Sequence, residues 1–269
     1  MLNSAPIVPS AVLAPKASLN AGLPDPLATG AIAARPNTLS AIQAGAQVLA
    51  LKELAAKGDA AAQFDYAARL VEGRGIGQDK VAAIGWFEKA AAQGLAQAQY
   101  RLGAIYEKGL GLPRDPVKAR DYYEKAANQG NVRAMHNLAV ILAEGVDGKP
   151  DYAAAATWFR RAADYGVRDS QFNLAILYAR GMGVPQNLGQ SYVWFAAAAL
   201  QGDEDAAKKR DEVGAQLDAT AREAAKKQVA DFHARTPATA VNDPPAVAPG
   251  PGASASAVSA AVGKALSKL

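Results

Sequence analysis

Residues 94–130 read GLAQAQYRLGAIYEKGLGLPRDPVKARDYYEKAANQG. The glycines at its two ends belong to a series. Glycine recurs at 58, 94, 130, 166 and 202, every 36 residues and without insertion. A second glycine follows inside each unit at 73, 109, 145 and 181, and a third at 75, 111 and 183, with Asp147 breaking the pattern in the third unit. Asp79, Asp115, Asp151 and Asn187 recur in step, as do the aromatic pairs Trp86-Phe87, Tyr122-Tyr123, Trp158-Phe159 and Trp194-Phe195. An alanine pair follows each of them: Ala90-Ala91, Ala126-Ala127, Ala162-Ala163 and Ala198-Ala199. A fixed period of this length marks a supersecondary unit that buries its apolar face only by stacking on its neighbours.

Each unit predicts two antiparallel helices. Helix A starts after the first glycine and ends near the second; Tyr66 and Leu70, or Leu102 and Tyr106, lie four apart on one face. The G-x-G that follows supplies the left-handed residue past a helix end, then a tight turn. The Asp or Asn next caps helix B through its free first-turn N–H groups, and Pro116 occupies the first helical position after Asp115. The alanine pair allows close helix approach, and the aromatic pair is expected to fill the space between units. G-x-G here lies between helices, not after a strand, and lacks the third glycine of a dinucleotide fingerprint, so it is read as a turn.

Outward from the repeats, composition changes. Prolines stand at 6, 9, 15, 24, 26 and 36, and again at 237, 244, 245, 249 and 251. Residues 1–37 and 237–269 are therefore expected to be disordered, with a possible short helix over 254–268, and the folded part to span 38–236. Residues 39–57 are expected to form an N-terminal cap helix, the four full repeats to cover 58–93, 94–129, 130–165 and 166–201, and 202–235 to close the array. Thr220 and Glu223 suggest a capping box on the last helix.

Charge and composition exclude several functions. Lys and Arg number 29 against 25 Asp and Glu, a surplus of +4 spread along the chain, which argues against a nucleic-acid partner. There is no cysteine, so neither disulfides nor thiolate chemistry is available. No run of about 20 apolar residues suggests a membrane span, and the N-terminus lacks a secretory pattern. His136 and His233 are the two histidines. His136 takes a position held by Phe64, Tyr100 and Phe172 in the other units, so it reads as an aromatic substitute. No catalytic set, metal site or cofactor is expected, and the chain is expected not to be an enzyme.

The glycines, the aromatic and alanine pairs and the capping residues resemble the Sel-one-like repeat (SLR) family, relatives of the tetratricopeptide repeats. Residues 94–130 carry most of its pattern: Ala98, Leu102, Gly103, Tyr106, Gly109, Gly111, Asp115, Lys118, Ala119, Tyr122, Tyr123, Lys125, Ala126 and Ala127. The resemblance implies an all-α fold, a right-handed α-solenoid of helix pairs, and a protein-binding scaffold whose A helices line a concave groove. Residues 133–144, 148–184 and 205–213 are further similar to the C-terminal repeat region of the PodJ family of alphaproteobacterial polar localization factors. In that family a coiled coil and one membrane span precede periplasmic repeats, and a peptidoglycan-binding module sometimes follows. That likeness implies a periplasmic location if the chain is a fragment or relative of such a factor; otherwise it is expected in the cytoplasm.

On helix A, one face of each unit carries aromatic, arginine and asparagine residues at matching positions. Tyr100, Arg101, Arg133, His136, Asn137, Phe172 and Asn173 are the candidates to hold a peptide, by stacking on its side chains and bonding its backbone. The expected function is a non-enzymatic scaffold for a protein or peptide in bacterial cell polarity or envelope morphogenesis. The alternatives are a module that associates with cell-wall glycan and a regulator that occludes a partner enzyme.

Overall fold

The computed structural model describes residues 38–146 and 148–247. All of residues 1–37, and the suggested helix at 254–268, lie outside that range. Among the described residues the secondary structure is helical, without strands. The helices are α1 (Thr38–Ala56), α2 (Ala60–Glu72), α3 (Lys80–Ala92), α4 (Ala96–Lys108), α5 (Pro116–Asn128), α6 (Val132–Glu144), α7 (Tyr152–Asp164), α8 (Arg168–Arg180), α9 (Leu188–Ala199), α10 (Glu204–Gly214), α11 (Ala219–Asp231) and α12 (Thr239–Asn242). They fall into two units, one holding α1–α4 with α12, the other α5–α11.

In the first unit α1 packs on α2, α2 on α3 and α3 on α4. Val48, Leu51 and Ala55 of α1 are buried. Their spacing of three and four puts them on one helical face. Phe64 of α2 meets Phe87 of α3 edge to face at 5.4 Å. In the second unit α5 to α10 pack in succession and α11 returns onto α9. Phe172 of α8 meets Phe195 of α9 in the same way at 5.3 Å, so one aromatic contact between helices A and B serves both units.

The aromatic pair divides its labour. The second ring is interior in every repeat: Phe87, Tyr123, Phe159 and Phe195 are at most 2% exposed. The first ring is half-buried in three repeats, with a cation three residues on lying over it: Lys89 over Trp86 at 4.0 Å, Lys125 over Tyr122 at 5.2 Å and Arg161 over Trp158 at 4.6 Å. Filling the interior is thus the task of the second ring, not of both as the sequence suggested. Trp194 departs from this pattern. It is 3% exposed, held between Arg160 and Phe232.

Caps set the helix starts. Asp79, Asp151 and Asn187 accept from the N–H of Ala82, Ala154 and Gln190. A cap also stands before some A helices. Asp59, Asn131 and Asp203 accept from Ala62, Ala134 and Ala206, whereas Leu95 and Val167 at the same repeat position make no such bond. On α11 the cap is Asp218, bonded to the Ala221 N–H, two residues ahead of Thr220; with alanine at the third helical position the capping box suggested at Thr220 and Glu223 does not form.

Glycine is required most strictly at Gly183. Its φ is 69°, and a methyl there would overlap the Tyr152 carbonyl and the Ala153 nitrogen at the start of α7. Within the segment expected to be unpacked, the described residues 239–247 belong to the first unit. Thr239–Asn242 forms a helical turn that packs on α4.

Candidate partner-binding face

Helices α2, α4, α6, α8 and α10 are the A helices. Three of them, α2, α4 and α8, are tied at the N-terminal end by a device that recurs along the chain. The side-chain amide of Gln63 donates to the Ala55 carbonyl at the end of the preceding helix, at 3.1 Å. Gln99 donates to Ala91 and Gln171 to Ala163, each at 3.2 Å. A second glutamine closes the device: Gln93 donates to Gln63 and Gln201 to Gln171, both at 2.8 Å. In the third repeat both positions change together, to Met135 and Tyr165. The buried amides are satisfied without solvent, as burial demands.

On this frame the seven candidate residues separate into two groups. Tyr100, Arg101, Arg133 and Asn137 are half-buried and reach the surface. Arg101 lines a cavity of about 240 Å³ with Ala68, Val71, Phe87, Ala104 and Ile105. Asn137 donates to the Tyr123 hydroxyl at 2.9 Å, so its amide also ties α6 to α5.

His136, Phe172 and Asn173 are 2%, 8% and 0% exposed. Their side chains stand inside the protein, which corrects their placement on the surface a partner meets. His136 shares a 2.7 Å hydrogen bond with the Ser170 hydroxyl and lies 5.9 Å from the Phe159 ring. It fills the place of a core aromatic, and Ser170 stands where other repeats carry Ala62, Ala98 and Ala134. His233 bonds the Asp231 carbonyl on the surface.

The charged groups of α8 are coupled. Arg168 bonds Asp169 at 3.2 Å and approaches Asp203 at 3.9 Å. Burial pushes the Asp169 carboxyl above its ordinary value; the hydrogen bond and charge of Arg168 oppose that, and Asp203 adds to it. Asp164 is raised by burial as well, against Arg160 and Arg235. Arg235 packs over the Tyr165 ring at 4.9 Å, and its N–H bonds the Asp164 carbonyl. Among the described residues no three of His, Asp and Glu gather as a metal set, and no helix is long and apolar enough to cross a membrane.

Gln97 shares the A-helix face read from the sequence with Tyr100 and Arg101 but is not among the seven candidates. It is 5% exposed, and its side-chain amide donates to two carbonyls of the C-terminal segment, Ala240 and Asp243, each at 2.7 Å. The matching positions hold Arg133 and Asp169 in later repeats, so no periodic signal marks it. The glutamine pairs, by contrast, recur at 36 residues and were available to be found.

The family model "Sel1 repeat" matches residues 60–95, 96–131, 132–166 and 168–203, more than half of the chain. Curated proteins give no match. Two solved structures are similar. One is c5321, a protective antigen present in uropathogenic Escherichia coli strains and displaying an SLR fold. It is 32% identical with a TM-score of 0.61, over 70% of this chain and 41% of that protein. This chain thus spans about two fifths of that antigen's length. The other is a Sel1 repeat protein from Oxalobacter formigenes, 28% identical with a TM-score of 0.56, over 72% of this chain and 81% of that one. The helix pairs described above are those of an α-solenoid.

Proposed function

This chain belongs to the Sel1 repeat family, whose members are generally protein-interaction scaffolds, and from that premise we propose that it binds a protein or peptide along the A-helix face without catalysing a reaction. The observation that carries this reading is that each unit has half-buried polar and aromatic groups on an A helix: Tyr100 and Arg101 on α4, which Gln99 ties to the preceding helix, and Arg133 and Asn137 on α6, which Asn137 ties to α5. Rigid supports with partly desolvated arginine and tyrosine are where binding energy concentrates. The setting we propose is bacterial cell polarity or envelope morphogenesis, with the repeats in the periplasm. Its support is the likeness of residues 133–144, 148–184 and 205–213 to PodJ-type repeats.

The test is capture from envelope extract by the full chain. Arg101→Ala with Arg133→Ala should lose partners at unchanged helicity, and Lys118→Ala with Lys125→Ala on α5 should keep them. The reverse result would place the working face on the B helices. Co-sedimentation with purified sacculi, unaffected by the arginine double, would favour cell-wall glycan instead.

A further inference from the structure

Among the described residues, α4 is an A helix that already holds a segment from outside the repeats. Thr239–Asn242 forms a single helical turn, closed by the Asp243 N–H bonding the Thr239 carbonyl at 2.9 Å. That turn presents the carbonyls of Ala240 and Asp243, and the Gln97 amide donates to both at 2.7 Å. A side chain that bonds backbone carbonyls reads conformation more than sequence, since any residue can supply them. The turn's own side chains add little burial; none of its four residues is buried. Gln97 Oε1 is itself buried, with no donor on it among the described residues. A buried acceptor left without a donor is costly, so the present occupant satisfies only half of the amide.

Resting on the reading of the A-helix face as the binding surface, we infer that the Gln97 region of α4 is a peptide seat in which Thr239–Asp243 is a placeholder. The partner that fits is a peptide ending in a similar helical turn, with two free carbonyls for the Gln97 amide and an N–H or hydroxyl donor for its oxygen. The tethered turn competes at the effective concentration its short tether sets, on the order of millimolar. A partner must therefore displace it, and the donor to Oε1 gives a partner an advantage the placeholder lacks.

The experiment uses the full chain and a fluorescein-labelled peptide of residues 236–247, followed by anisotropy. Replacing residues 239–243 with Gly-Ser-Gly-Ser-Gly should raise peptide affinity at least tenfold over the natural chain. Adding Gln97→Ala to that variant should abolish the gain. Equal binding by natural and replaced chains, or indifference to Gln97→Ala, overturns the inference. A second measurement covers poor folding of the replaced chain. In the otherwise natural chain Gln97→Ala should speed hydrogen exchange of the Asp243 amide at least tenfold with the melting temperature unchanged, and unchanged exchange likewise overturns it. The two proposals separate cleanly. Peptide binding that depends on Gln97, with envelope partners indifferent to Arg101 and Arg133, keeps the seat and removes the general reading. Partners lost on Arg101→Ala with Arg133→Ala, but no peptide binding, does the opposite.

Discussion

The third and fourth repeats share a frame and differ in what lies over it. In the fourth, Gln171 and Gln201 form the amide pair, and Trp194 is interior between Arg160 and Phe232. In the third, Met135 and Tyr165 replace the pair, and Trp158 is half-buried under Arg161. Two of these departures, Trp194 and Tyr165, coincide with landing places for the chain after α11. Phe232 covers Trp194, Arg235 packs over Tyr165, and Ala234 lies against Gly166, where an added methyl would stand 3.0 Å from its Cβ. The lesson is that at Trp194 and Tyr165 a broken repeat position marks a contact from outside the repeat, whereas periodic positions report what neighbouring units need from one another.

The largest effect that would break this comparison is at the first aromatic. Trp194→Ala should cost about 3–5 kcal/mol and Trp158→Ala roughly half as much or less, because the half-buried ring removes less apolar surface and leaves less cavity. Chemical denaturation of both variants measures it, and equal losses would mean that Phe232 does not cover Trp194. Next comes the turn glycine. Gly183→Ala, which meets the backbone at Tyr152, should exceed Gly148→Ala, which has the same left-handed backbone at φ 73° but open space around it. The latter should cost about 1–2 kcal/mol from conformation alone. Similar melting points for the two would deny the close approach of loop and helix.

A smaller effect sharpens the comparison. Installing glutamine at both Met135 and Tyr165 should be more favourable than the sum of the single changes by about 1 kcal/mol, the worth of one restored buried hydrogen bond. A double-mutant cycle with no coupling would show that the third repeat cannot accept the pair. The smallest concerns pH. Asp169 holds its proton more firmly folded than unfolded, where its value is about 3.9. The stability that protonation contributes is full below that value and fades as pH rises through the raised one. Asp169→Asn should therefore flatten the decline in melting temperature above pH 4, with little change at lower pH; an unchanged profile would deny the burial of this carboxylate.

Much of the fold was legible because its causes are local and periodic. The glycines, the helix-B caps and the alanine pairs act within one unit or between adjacent ones, so a 36-residue ruler finds them. The division of work between Trp158 and Phe159 was not legible, because both are aromatic and only helix rotation distinguishes the inner ring. His136 was read correctly as an aromatic substitute but placed among the partner-binding candidates as well; burial decides between these uses, and burial of a polar ring depends on Ser170, 34 residues away. Asn173 is buried as well. Gln97 was legible as a residue of the A-helix face, but its contact was not, since its partners lie 143 and 146 residues away and repeat nowhere.

The joint made by Gln63, Gln99 and Gln171 has a consequence for how such a chain changes length. Each amide meets a carbonyl eight residues back, in the preceding helix, with nearly the same geometry. Such a joint is interchangeable: loss or duplication of a whole unit at these seams recreates it, whereas a slip of any other length points the amide at no carbonyl. Recombination between repeats is thereby filtered toward whole-unit steps.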